Sequence, residues 1–160
     1  YLKWIASSPN PMRGNVEKDY WVKKSNSPSF LSWAGFCFEG ICHKHIQEIK
    51  RALGISAVAT NIYQWASRPG SDLESGAQID LIIDREDDCI NLCEMKFSKN
   101  EFIIDKEYKK KLENKIHSFR KATRTKKSIM LTLVTSYGVK ENSHYKDIVT
   151  NQLLMDELFT

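Results

Sequence analysis

Two stretches of helical spacing and four β-rich runs predict an α/β domain, with a mixed sheet flanked by helices in the order αβββαβ. Short connections join the first three strands, so neighbours in sequence can pair as neighbours in the sheet. The fourth strand follows a helix. It is expected to lie parallel to the strand before it, through a right-handed crossover.

The first helix is read from Phe30 to Leu53. Phe38, Ile41, Cys42, His45, Ile49 and Leu53 fall on one stripe. Gly54 stands where a left-handed C-cap belongs. Val58 to Trp65 is rich in β-formers and predicts the first strand, broken by Arg68-Pro69-Gly70-Ser71. Gln78–Asp84 and Cys89–Lys96 form a hairpin across the polar turn Arg85–Asp88. Asp105 can cap a second helix, whose apolar stripe is Tyr108, Leu112, Ile116 and Phe119. Ser128–Thr135 is the fourth strand, and a last strand or short helix falls between Asp147 and Phe159.

Upstream, residues 1–29 read as a segment leading in from a preceding domain, and residues 30–160 as the domain proper. Within that segment Tyr1–Ile5 is a short strand or a helix end, and Ser7–Pro11 is loop. Trp21 and Val22 are expected to dock on the core. Residue 1 is Tyr, so a piece of a longer protein is expected.

Composition narrows the function classes. Of 160 residues, 41% are apolar and 28% charged, which excludes disordered and fibrous chains. No apolar run approaches the ~20 residues of a membrane helix, so no membrane partner is expected. Four cysteines without an export signal imply reduced thiols and a cytoplasmic protein. Cys37, Cys42, His43, His45, Cys89 and Cys93 invite a zinc reading. Cys37 and Cys42 would face different sides of a helix, however, and no CxxC pair exists. Cys42 and His45 are expected on the core face instead.

Charge is uneven. Residues 72–101 carry nine acids against three bases, and residues 106–127 carry ten bases against two acids. An acidic stretch beside a basic one suits a metal site next to a phosphate-binding surface. Within the acidic stretch, Glu94 and Lys96 share one face of a strand. Asp80 joins them across the hairpin if Asp84 pairs opposite Ile90, whereas a one-residue slip would send the carboxylates to opposite faces. A charged triad among Ile79, Leu81, Ile83, Ile90 and Leu92 is unusual, because buried charges need a partner or a metal. Mg²⁺ or Mn²⁺ suits such oxygen donors. Lys109, Lys110, Lys111, Lys115, Arg120 and Lys121 lie just beyond, where a nucleic-acid backbone would run.

Asp80, thirteen residues, then Glu94-Met95-Lys96 resembles the Asp…(Asp/Glu)-x-Lys motif of the PD-(D/E)XK nuclease superfamily. Glu39 matches the additional helix glutamate of many members. More narrowly, Trp33-Ala-Gly-Phe-Cys-Phe-Glu39, Gly76-Ala-Gln-Ile-Asp80, Cys93-Glu-Met-Lys-Phe97 and Leu153-Leu-Met-Asp-Glu-Leu-Phe159 resemble the C-terminal region of a family of prokaryotic P-loop ATPases. Its members join an N-terminal AAA-type ATPase to a nuclease-like domain. Where many members carry a carboxylate, this chain has Gln78.

The resemblance implies a restriction-endonuclease-like core and metal-dependent hydrolysis of nucleic acid, with DNA as the expected substrate. Asp80, Glu94 and Glu39 would hold Mg²⁺ or Mn²⁺, Lys96 would assist, and Gln78 would neighbour the site. ATP would bind only to an N-terminal ATPase domain, since no Gly-x-x-x-x-Gly-Lys-Ser/Thr loop is present here. That domain is an expected partner, and a homo-oligomer is also allowed. The alternative is an inactive nuclease-fold module for nucleic-acid binding, regulation or oligomerisation of the ATPase.

Overall fold

A computed structural model describes residues 19–67 and 76–160. The readings of residues 1–11 and of the break at residues 68–71 lie outside the described residues. The chain divides into two compact units, residues 1–33 and 34–160. In the first, helix α1 (Tyr20–Ser25) buries no residue. Trp21 and Val22, expected on the core, are exposed. Among the described residues no helix is long and apolar enough to cross a membrane.

The second unit is built on a five-stranded mixed sheet in the order β1 (Thr60–Ala66), β2 (Gln78–Arg85), β3 (Cys89–Lys96), β4 (Ser128–Thr135), β5 (Asn151–Leu154). The first three strands pair antiparallel, and β3–β4 and β4–β5 pair parallel. Asp84 does pair with Ile90, and the ladder runs on to Leu81 opposite Cys93. The tight turn is completed by Asp88 in the left-handed region at φ 60°, which Asp tolerates better than most residues.

Helices line both faces. On one, α2 (Pro28–Lys44) and α3 (Ile46–Ala52) pack Phe38, Cys42 and Ile49 against Leu81, Ile83, Cys93, Met95 and Val134. On the other, α4 (Lys106–Thr123) lays Phe119 on Ile82, Ile90 and Leu92, and Leu112 on Leu131 and Leu133. This explains why β2 and β3 are buried almost throughout: strands covered on both faces lose the polar–apolar alternation. The edge strand β1 is mostly exposed.

The single helix expected from Phe30 to Leu53 is two helices. His45 leaves the helical region (φ −110°, ψ 34°), and its N–H is shared between the carbonyls of Ile41 and Cys42. A straight helix would carry Ile49 roughly 16 Å along the axis beyond Phe38. The break brings both into one cluster. His45 is half-buried beside Phe159, at a ring separation of 4.9 Å. Asp105 caps α4 as expected, its side chain accepting the Tyr108 N–H at 2.7 Å. The short helix α5 (Ser143–Ile148), capped by Asn142, was not expected, because two turns are too brief for an apolar stripe to register. The chain closes with β5 and a 3₁₀ turn over Met155–Phe159.

Candidate metal and phosphodiester site

The site lies where β2 begins and β3 and β4 end. The β2–β3 ladder ends at Leu81 opposite Cys93, and β2 is bulged against β1 between Ile79 and Ile82, so that Ile79 packs on the α4 side together with Ile82. Asp80 sits in this break, and Glu94 follows Cys93 on β3. Both are buried, at 7% and 3% exposure. The Asp80 carboxylate accepts the Met95 N–H at 2.9 Å, serving a donor just past the last paired residues.

Glu94 sits in a cage of donors. Its Oε1 accepts from Lys96 Nζ at 2.9 Å, Lys115 Nζ at 2.8 Å and the Tyr108 hydroxyl at 3.0 Å. Its Oε2 accepts from Lys115 Nζ at 2.6 Å. Burial by itself would raise the Glu94 pKa, but the ammonium groups of Lys96 and Lys115 outweigh it and hold the carboxyl below its ordinary value. Asp80 goes the other way. Burial, and then the negative charge of Glu94, raise it. Burial also opposes the charged form of Lys96, yet Glu94 keeps that ammonium above its usual value. The Tyr108 phenol is pushed far up by burial and by Glu94, so it stays a donor.

Glu39 is half-buried on α2, oriented by Phe38 and Cys42, which pack into the core on either side of it. Burial and then the charge of Asp80 raise its carboxyl, with a smaller push from Glu94. The three acids therefore sense one another. Among the described residues, however, no three His, Cys, Asp or Glu side chains stand close enough together to hold a metal ion as they are. Asp80 and Glu94 are buried carboxylates, oxygen donors of the kind a hard divalent cation takes. In this structure the charge of Glu94 is met by Lys96 and Lys115.

Gln78, at the start of β2, is exposed and paired opposite Ala66. Cys42 is buried in the core, as expected, and burial pushes its thiol up to about 12.

The basic helix splits by direction. Lys109 is engaged by Asp147 at 2.7 Å and Glu113 at 3.8 Å. Lys115 turns inward to Glu94. Lys110, Lys111, Arg120 and Lys121 are exposed.

Two partners of Glu94 were read differently in the sequence: Tyr108 as apolar stripe, Lys115 as phosphate contact. One signal was available. Lys115 falls three residues after Leu112 and seven after Tyr108, on the buried stripe. Ser98 and Ser136 were also missed. The Ser136 hydroxyl donates to the Ser98 carbonyl at 2.6 Å and accepts the Ser98 N–H at 2.8 Å, tying down the backbone just after Lys96.

Comparisons with protein-family models, with curated proteins and with solved structures find no match.

Proposed function

We propose that this domain is a metal-dependent phosphodiesterase of the PD-(D/E)XK kind, acting on nucleic acid, with DNA the expected substrate. The observation that carries this reading is the pair of buried carboxylates near the open end of the hairpin, Asp80 accepting the Met95 N–H and Glu94 paired with Lys96. An otherwise apolar hairpin has no packing reason to hold two acids there, and desolvating them costs several kcal/mol.

Asp80 and Glu94 would hold Mg²⁺ or Mn²⁺, with Glu39 reaching in from α2. Bound there, the ion would supply a water of lowered pKa and offset charge on the phosphate. Lys96, anchored on Glu94, would orient a nucleophile or neutralise a phosphate oxygen. Lys110, Lys111, Arg120 and Lys121 offer a basic surface for the backbone.

One observation favours the inactive module: the carboxylate of Glu94 is sealed, with both oxygens engaged by protein donors. A cleavage assay on single-stranded, duplex and branched DNA with Mg²⁺ or Mn²⁺ decides between the two. Cleavage that disappears in Asp80→Ala and Lys96→Ala supports the enzyme. Absence of cleavage in the unaltered chain, on every substrate and with both ions, leaves the regulatory or binding module.

A further inference from the structure

Lys115 contributes a charge to a site that already has its motif lysine. Its Nζ straddles Glu94, 2.8 Å from Oε1 and 2.6 Å from Oε2, whereas Lys96 is within 2.9 Å of Oε1. The two lysines are mounted differently. Lys96 ends β3, two residues from Glu94, and strand pairing sets its direction. Lys115 hangs from α4 on a flexible four-carbon stem, while Leu112 and Phe119 hold the helix itself in the core. Both lysine side chains keep some exposure, 24% for Lys115 and 29% for Lys96 against 4% for Glu94, so each reaches solvent where the carboxylate does not; the difference between them is the mounting.

Resting on the phosphodiesterase reading, we propose that Lys115 is a gate on the cation site: its ammonium stands in for the cation on Glu94, and a nucleic-acid phosphate draws it off so that a divalent ion takes its place. Losing Lys115 would leave Lys96 as the one ammonium bonded to Glu94 among the described residues, with the buried Asp80 carboxylate also close by, so a divalent ion that enters as Lys115 leaves restores the charge balance. The acceptor for the displaced ammonium lies on the same helix surface. Lys111, one turn earlier, is exposed there, and a polyanion bound to it passes close to Lys115. Cation and nucleic acid then reinforce each other's binding, and by linkage the reinforcement is equal in both directions.

The test is Mn²⁺ titration of the intact chain, followed by electron paramagnetic resonance, with and without a cleavage-resistant phosphorothioate DNA duplex. In the unaltered protein the duplex should tighten Mn²⁺ binding by about tenfold. Lys115→Gln should bind Mn²⁺ about tenfold more tightly without DNA and lose the DNA effect, since one opposing charge is gone. Lys115→Arg keeps the charge and the fold, and grips the carboxylate bidentately; it should bind Mn²⁺ more weakly than the unaltered chain. If Lys115→Gln binds Mn²⁺ no more tightly, or, should Gln fail to fold, if Lys115→Arg binds it no more weakly, the gate is wrong although the nuclease can stand. If the unaltered chain and all variants ignore Mn²⁺ up to millimolar concentrations, with or without DNA, the phosphodiesterase reading falls and the gate with it.

Discussion

The β2–β3 hairpin carries a lysine–carboxylate pair near each end, and the two pairs have almost the same length. Near the turn, Lys127 lies 2.7 Å from Asp84; at the open end, Lys115 lies 2.6 Å from Glu94. Water distinguishes them. The Asp84 side chain is 25% exposed and that of Glu94 4%. An exposed pair exchanges one set of hydrogen bonds for another and contributes little. A buried carboxylate has surrendered its hydration and depends on whatever positive charge the fold brings to it. Equal distances therefore conceal unequal energetics. Asp80 sharpens the contrast: it lies on the same strand as Asp84, it is buried, and among the described residues its carboxylate makes no ion pair but accepts the Met95 N–H.

The largest expected effect comes from breaking the buried pair. Glu94→Gln should destabilise the cation-free protein by about 3 kcal/mol, the lower end of the range for such a loss because Lys96 and Lys115 keep some water. Asp84→Asn should be close to neutral. Urea denaturation of both variants measures the difference. The Glu94 effect should also depend on pH. A carboxyl held below its unfolded value stabilises the fold above that unfolded value and loses the contribution as pH falls through its own lowered pKa. The gap between Glu94→Gln and the unaltered chain should therefore close in acid. A gap that stays constant with pH would mean that the charge of Glu94 is not what the cage stabilises.

Asp80→Asn should have a smaller effect of opposite sign. It keeps an oxygen for the Met95 N–H and removes a charge that burial and Glu94 both disfavour. Cation-free, it should melt higher than the unaltered protein near neutral pH. The carboxyl of Asp80 lies above its unfolded value, so the unaltered fold gains stability as pH falls through that raised pKa and loses it as pH rises. The advantage of the Asn variant should accordingly shrink as pH is lowered. Mg²⁺ or Mn²⁺ should raise the melting temperature of the unaltered chain and not of Asp80→Asn. An Asn variant that melts lower would show that Asp80 is stabilised where it stands.

The smallest effects belong to the solvated surface. Replacing Lys110, Lys111 and Lys121 by Ala should leave stability nearly unchanged. If they follow a phosphate backbone, the log–log salt slope of DNA binding should fall by about one unit for each lost contact. Lys109→Ala should change that slope less, since Asp147 already engages its ammonium. Equal slopes for all four single variants would erase the distinction between the paired Lys109 and the exposed lysines.

Much of this architecture was legible along the chain. Asp105 announced the start of α4, and the length of the polar turn set the pairing of Asp84 with Ile90. These depend on residues a few positions apart, where backbone geometry and side-chain alternation act directly. The bend at His45 was not legible, because both halves of the helix carry the same apolar stripe and only a shared cluster requires them to turn. Nor was the cage around Glu94. Tyr108 and Lys115 reach it from 14 and 21 residues away, and a tyrosine in an apolar stripe or a lysine in a basic run looks the same whether it faces water or a buried acid. Local spacing was enough to pair the hairpin near its turn and to bring the acids Asp80 and Glu94 toward its open end. Only the tertiary structure decided how far each is desolvated and which ammonium stands beside it, because desolvation depends on everything packed around a group and not on its neighbours along the chain.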